Sequence, residues 1–479
     1  MVRSSHDVVS ARESLVDEMA TGELGDQRLN DRRNRLIAML EQHPDAGFPD
    51  ACANDAEVEA LYRFLRNRRF SWDALFEPHA TATHARCAAL GEVLVIHDTT
   101  DMVFAGEMPR MGLAPLGKGR HGFWLHAALA VSADGLRAPL GLVSLAPFIR
   151  KTRPVGTRKS EQERFDDPQK ESRCWIDGVT TVRERLDRAV QPIHLMDREG
   201  DSYELFAAMI QYGDRFVVRL NHDRRLLPDG TESSPEKLSH AVSREDAICE
   251  RQVFLSPRRL GNRPLQARKK HPPREGRVAR LRFAARRVTL KRPENQTHTP
   301  AALTVHVVYA WEVDPPAGDK PVEWRLITTE PIDTVAQVMR VIDAYRTRWL
   351  IEEFFKCLKT GCAYEKRQLE SFDTLLIALA LLAPIAWQLL LLRHLARETP
   401  DTSACVALTA RQLDVLRASP AGASLCPQAT TRAALCALAR LGGHLRQNGE
   451  PGWLVLGRGM QKLLWMEAGW VAAQDNRTM

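Results

Sequence analysis

Tyr345, Arg348, Glu352 and Lys359 are spaced so that a single helix would line them up on one stripe. At about 100° per residue the four fall within roughly 60° of one another. A carboxylate flanked by an arginine, lysines and a tyrosine on a rigid element suits a metal ion gripping a phosphate, while the cations steer the rest of a polyanion backbone. Lys356 lies beside the same face. The opposite side gathers Leu350, Ile351, Phe354 and Leu358, with Phe355 at its border, as a core-facing side requires. The same stripe also reads as a solvated face laced with i,i+4 ion pairs, so other segments must decide.

Two segments bear on the choice. Val93-Leu94-Val95-Ile96-His97 is an apolar, β-branched run that ends on Asp98, and Pro192-Ile193-His194-Leu195-Met196 is another that ends on Asp197. An aspartate just past a buried strand stands at a sheet's carboxyl edge, where α/β sites form. One alone is usually a turn or cap residue. Two of them with Glu352 supply three acidic ligands from separate elements, as a two-metal site needs.

The order Asp98, Asp197, Glu352 resembles the acidic triad of ribonuclease-H-like DDE transposases. The Tyr-x2-Arg-x3-Glu-x6-Lys spacing resembles the signature of the insertion-sequence-four family, and the likeness is strongest to the transposases of transposon five. It runs over nearly the whole chain, through Leu24-Gly25-Asp26 with Arg28 and Arg32, Tyr62-Arg63-Phe64-Leu65-Arg66-Asn67, Asp98-Thr99-Thr100, Asp197-Arg198-Glu199, Arg215-Phe216-Val217-Val218-Arg219, and Arg348-Trp349 into Ile351-Glu352-Glu353-Phe354. The helix signature is specific, whereas the aspartate motifs alone are weak.

The fold expected is α/β: a ribonuclease-H-like mixed-sheet catalytic core with a β-rich insertion, flanked by N-terminal and C-terminal helical domains. The expected boundaries are a helical DNA-binding domain at 1–70, the catalytic domain at 71–370 with its insertion at about 222–325, and a helical dimerisation domain at 371–479. In the catalytic domain the strand ending at Asp98 should precede strands near Phe123–Val131 and Leu136–Leu145. The Pro192–Met196 strand follows, and Arg215–Leu220 continues the sheet. A helix should begin at Thr334.

A chain of 479 residues is long enough for two or three domains with a sizeable core. Apolar content of 44% and charged content of 27% are ordinary for a soluble protein. Met1-Val2-Arg3-Ser4-Ser5-His6 has no apolar signal core. Nine scattered cysteines read as reduced thiols without structural zinc, and Cys357 and Cys362 fall on different faces of an α-helix. Leu375–Leu392 is apolar apart from Pro384 and Gln388 and reads as a buried core helix rather than a membrane span. The expected location is a bacterial cytoplasm, at the nucleoid.

The net charge of +7 is held unevenly. Residues 251–292 contain 15 Lys and Arg against one acid, Glu275, which leaves 52 basic and 59 acidic residues elsewhere, a balance of −7. A concentrated patch of this kind is a footprint of polyanion binding, and its apolar interleaving points to strands.

Carboxylates are hard donors that select Mg²⁺, with Mn²⁺ able to substitute, and two ions would share the site. Asp98 is expected to bridge them, with Asp197 and Glu352 each completing one. Asp101, Glu199, Asp201 and Glu353 are acidic decoys nearby. Tyr345, Arg348 and Lys359 would hold phosphates. The resemblance further implies that Arg28, Arg32, Arg63 and Arg66 grip the transposon end. Leu29 and Arg33 depart from it by exchanging basic and apolar positions. It implies as well that Trp324 stacks on a flipped base during hairpin formation, against a plain reading as a core tryptophan. His97 reads as a packed strand residue, His121–His126 as strand core plus a DNA-facing loop, and Lys170-Glu171-Ser172-Arg173-Cys174-Trp175 matches a family segment with no role attached.

The implied function is a cut-and-paste DNA transposase. It would bind terminal inverted repeats as a homodimer, cut both strands through a hairpin, and join the 3′ ends to target DNA. A metal-dependent endonuclease that cuts without joining, or a non-catalytic inhibitor of transposition, remain the alternatives.

Overall fold

The computed structural model describes residues 4–10, 15–42, 48–52, 54–106, 110–117, 119–149, 173–228, 237–255, 273–445, 447 and 449–475. The chain divides into two compact units, Met1–Pro192 with Trp349–Met479, and Ile193–Arg348.

After short helical turns at Ser5–Ser10 and, later, Phe48–Ala51, the main N-terminal helices of the first unit are α1 (Leu15–Ala20), α2 (Gln27–Gln42), α3 (Asp55–Leu65) and α4 (Trp72–Leu90). Asn54 and Ser71 start the last two by accepting backbone N–H groups of the first turn. Three strands follow in antiparallel pairing: β1 (Glu92–Phe104) on β3 (Arg120–Ser132), and β3 on β4 (Pro139–Phe148), with the short β2 (Ala114–Gly117) also on β3. Val93–Ile96 and Leu125–Val131 are buried without alternation, because helices cover both faces. Helix α5 (Arg173–Arg185) packs on β3 and β4.

One expectation fails here. Asp98 does not end its strand. β1 runs on to Phe104, with Thr99 opposite His126 and Phe104 opposite His121. The continuation is dictated by β3, a partner distant in sequence. His121–His126 is accordingly strand throughout, with no loop.

In the second unit β5 (Gln191–Met196) pairs in parallel with β6 (Arg215–Arg219) across helix α6 (Tyr203–Tyr212). From β6 the order continues antiparallel through β10 (Glu323–Thr328), β9 (Ala302–Val313), β8 (Arg277–Lys291) and β7 (Cys249–Leu255). Helix α7 (Val335–Thr347) starts at Thr334 with a complete capping box to Gln337 and packs on β6 and β9.

The first unit resumes with α8 (Trp349–Lys356), a π-helical turn at Cys357–Gly361, and then α9 (Phe372–Glu398), α10 (Ala410–Ala418), α11 (Thr431–Leu441) and α12 (Trp453–Asp475). α9 is apolar all round and every residue of its most apolar stretch is buried, which makes it the core helix that the sequence implied. It packs on α4 and β4, and the Trp387 indole donates to Pro139 O at 3.1 Å. The protein is thus a mixed α/β chain with parallel and antiparallel strands and helical flanks.

The continuous signature helix is a second correction. α7 ends at Thr347, Arg348 closes a tight turn by donating its N–H to Tyr345 O at 3.1 Å, and α8 begins at Trp349. Beyond Lys356 the bonding becomes i→i+5, with Cys362 N–H on Cys357 O at 2.9 Å. A period of 3.6 therefore misplaces Lys359. It misplaces the cysteines too, since a π turn puts Cys357 and Cys362 on one face, where their thiols hydrogen-bond. All nine cysteines are free thiols.

Candidate active site

The expected site residues fall in both units: Asp98, Glu352 and Lys359 in the first, Asp197, Trp324, Tyr345 and Arg348 in the second.

In the first unit, strand alternation puts His97 and Thr99 on one face of β1 and Asp98 and Thr100 on the other. The second face meets Lys359, whose ammonium donates to Thr100 Oγ1 at 3.0 Å and to Asp101 O at 2.5 Å. It also pairs with the carboxylates of Asp101 at 3.5 Å and Glu365 at 3.4 Å. Lys359 thus ties the π turn to β1 and takes up part of the positive charge that the sequence assigned to phosphates. α8 packs on β1 and carries Glu352, half-buried, in its first turn. Ile351 and Phe354 anchor that helix in the core. Glu353 turns aside, as its 100° offset requires, and pairs with Arg397 of α9 at 3.0 Å. Asp98 accepts the Thr99 N–H at 2.8 Å.

On the far face of β1, Thr99 Oγ1 meets His126 Nδ1 at 2.9 Å, and His126 Nε2 lies 3.4 Å from His97 Nδ1. Both rings are fully buried, and burial pushes His126 down to about 3, so it stays neutral. His97 is the packed strand residue that was expected.

In the second unit, Asp197 directly follows β5 and caps a 3₁₀ turn by accepting the Glu199 N–H at 2.8 Å. Tyr345 is buried, which raises its phenol above the usual value. Arg348 and Arg219 face it, and so does the Asp197 carboxylate. Arg219 donates a hydrogen bond to that phenol. The Trp324 ring stands 5.8 Å from the Tyr345 ring at 60°, half-buried on β10. Asp197, Tyr345, Arg348 and Trp324 are thus neighbours within one unit. Arg219 joins them unforeseen, although it lay in a quoted segment. Its signal was the parallel pairing of β5 with β6, which brings the two strand ends together. Asp201, by contrast, is spent on structure. It accepts the N–H groups of Asn221 and His222 at 2.6 and 2.8 Å and pairs with Arg224.

The donors Asp98, Asp197 and Glu352 offer hard carboxylate oxygens, which suits Mg²⁺ or Mn²⁺. Among the described residues, no three or more His, Cys, Asp or Glu side chains form a ready-made metal cluster, and the three carboxylates are divided between the two units.

Of the N-terminal arginines, Arg28 is exposed and Arg32 half-buried. Arg63 pairs with Glu59 at 3.5 Å and Arg66 with Glu370 at 2.9 Å. Arg33 is buried and donates to Gly22 O at 2.5 Å and Ala20 O at 3.2 Å, where it satisfies carbonyls at and just past the end of α1. Arg33 therefore adds no cation to the exposed face.

Four of the 15 cations in the basic stretch 251–292, all among the described residues, are ion-paired within the protein. Arg251 pairs with Asp343 at 2.5 Å, Arg277 with Glu312 and Asp319, Arg280 with Asp314 at 2.6 Å, and Arg282 with Glu250 at 2.9 Å. Arg268, Lys269 and Lys270 lie outside the described residues.

Residues 11–70 match the family model described as transposase DNA-binding, and residues 171–387 match the transposase DDE domain. The chain is a DDE transposase. The first match covers Arg28, Arg32, Arg63 and Arg66 of the transposase. The second covers Asp197, Trp324, Tyr345, Arg348, Glu352 and Lys359, while Asp98 precedes it. A cryo-EM structure of the piggyBac transposase synaptic complex with hairpin DNA aligns over 83% of this chain and 72% of that one, at 11% identity and a TM-score of 0.35. At that score the likeness carries no argument about mechanism.

Proposed function

We propose that this DDE transposase is a cut-and-paste enzyme of the insertion-sequence-four family, akin to the transposases of transposon five, with a ribonuclease-H-like core. The observation that carries the reading is the packing of α8, which bears Glu352, on β1, which bears Asp98, in a chain whose DDE match also contains Asp197. Asp98, Asp197 and Glu352 would hold two Mg²⁺ or Mn²⁺ ions, which when bound supply an activated water and stabilise the leaving oxygen.

The protein's own groups do the rest. Arg348 and Arg219, beside the Tyr345 phenol, offer forked donors to a phosphate next to the scissile bond. Lys359 braces β1 against the π turn. Trp324 offers a half-buried ring to a flipped base, in support of a hairpin intermediate. Residues 1–70 grip the transposon end, 71–370 form the catalytic domain, and 371–479 pair two protomers in the complex with two DNA ends. The setting is the bacterial cytoplasm, where joining follows cutting.

The test is incubation with Mg²⁺ and duplexes that carry the inverted repeats flanking the gene. Nicks, hairpins and joined products support the reading. Cutting without joining leaves an endonuclease, and binding without cutting leaves an inhibitor.

A further inference from the structure

The buried face of β1 behind Asp98 carries a chain of polar groups with no part in the reading above. Thr99 has two hydrogen bonds in opposite directions. Its backbone N–H donates to Asp98 Oδ1 at 2.8 Å, and its hydroxyl meets His126 Nδ1 at 2.9 Å. His126 lies against His97, with ring centroids 5.6 Å apart, and Trp175 of α5 meets it edge-on at 5.0 Å. α5 crosses directly above the pair at Gly178. A Cβ there would stand 2.6 Å from His126 Nε2 and 3.2 Å from His97 Nδ1. Cys174 Sγ approaches Thr99 Oγ1 at 4.0 Å. The described part of the Lys170–Trp175 segment therefore has its place here, as the lid over Thr99 and His126.

A buried imidazole is costly unless paired, and the half-buried Thr99 hydroxyl is the partner of its Nδ1. A neutral imidazole has one N–H and one acceptor. Both are used if Thr99 O–H donates to His126 Nδ1 and His126 Nε2–H points at His97 Nδ1. The rotamer of Thr99 and the path of β1 at residue 99 are then fixed from the side opposite Asp98.

We infer that Thr99 and His126 are positioning residues for Asp98: bracketed by Trp175 and Gly178, they hold the backbone N–H that orients the Asp98 carboxylate. The inference rests on the reading of Asp98 as a metal ligand. Outer partners of metal-binding carboxylates are typically worth 10–100-fold in affinity or activity.

The test is Mn²⁺ affinity of the protein bound to a DNA end, read from the resonance of free Mn²⁺, together with the nicking rate. Thr99→Val removes the hydroxyl at nearly constant shape. It should weaken Mn²⁺ binding and lower the nicking rate by about 10–100-fold, with DNA-end affinity unchanged and the melting temperature lowered by no more than the few degrees that the unpaired His126 Nδ1 costs. Thr99→Ser should restore both. Gly178→Ala, which presses on the rings, should act in the same direction as Thr99→Val. Wild-type Mn²⁺ affinity and nicking in Thr99→Val, alongside loss of both in Asp98→Ala, would overturn the inference and leave the reading of Asp98 standing. Normal Mn²⁺ affinity and cutting in Asp98→Ala would remove that reading, and the inference with it.

Discussion

Trp324 shows how much a residue's meaning depends on its neighbours. As a residue type it is most often core, yet it stands half-buried beside the Tyr345 phenol and its two arginines. If it takes up a flipped base, Trp324→Ala should nick normally and form fewer hairpins, with a loss on the order of 1–3 kcal/mol of stacking. Trp324→Phe should recover part of that. The ratio of hairpin to nicked product on a pre-cut end measures it, and an unchanged ratio would make the residue merely structural. At this scale the sequence was legible wherever side-chain chemistry and a strand end sufficed, as for Asp197. It was not legible for the partners of the basic stretch, because Asp343, Glu312, Asp319 and Asp314 reach those arginines from other elements. Arg33 likewise counts as a surface cation by type and is buried by its carbonyl partners.

Elements were legible where their signals are local. The capping pair Thr334 and Gln337, the apolar runs of β1 and β5, and the all-round apolar α9 all appear where the sequence placed them. The break at Arg348, the π turn and the extension of β1 past Asp98 depend on non-local partners and stayed hidden. One element-scale consequence concerns acid stability. Glu18 of α1 accepts from His79 Nδ1 and from Arg86 Nη1, both at 2.5 Å, and Leu142 N–H donates to His79 Nε2 at 3.1 Å. The Arg86 guanidinium lies 4.5 Å from the Trp387 ring, so the network joins α1, α4, β4 and α9. Burial alone would raise the Glu18 carboxyl, but His79 and Arg86 together bring it down to about 2. Burial lowers His79, which stays neutral so that Nε2 can accept. Both folded values lie below the ordinary ones. The stability they supply is present above about pH 6.5 and is lost as pH falls, first through His79 and then through Glu18 between about 4.5 and 2. The Glu18 part is on the order of 3 kcal/mol. Urea midpoints from pH 8 to about 2.5 should fall in wild type. In Glu18→Gln they should start lower and change less, and parallel curves would exclude the network as the cause.

For the whole molecule, the C-terminal region cannot be tested by deletion after residue 371, since that would remove α9 from the core. α12 is the better handle. It packs on α2, α10 and α11 and leaves Trp470 42% exposed. If α12 joins two protomers, Trp470→Glu should keep single-end binding and abolish complexes holding two DNA ends, as seen by native gel and light scattering. Undiminished two-end complexes would place the dimer contact elsewhere. The central claim is that Asp98, Asp197 and Glu352 act as one catalytic set although they come from a strand interior, a strand end and a helix. Its most direct test is Mg²⁺-dependent nicking of a duplex carrying the flanking inverted repeat by Asp98→Ala, Asp197→Ala and Glu352→Ala. Each should bind the DNA end with near wild-type affinity and lose nicking by at least about a thousandfold, a little over 4 kcal/mol of transition-state stabilisation. Nicking at close to the wild-type rate by any one of the three would contradict the account.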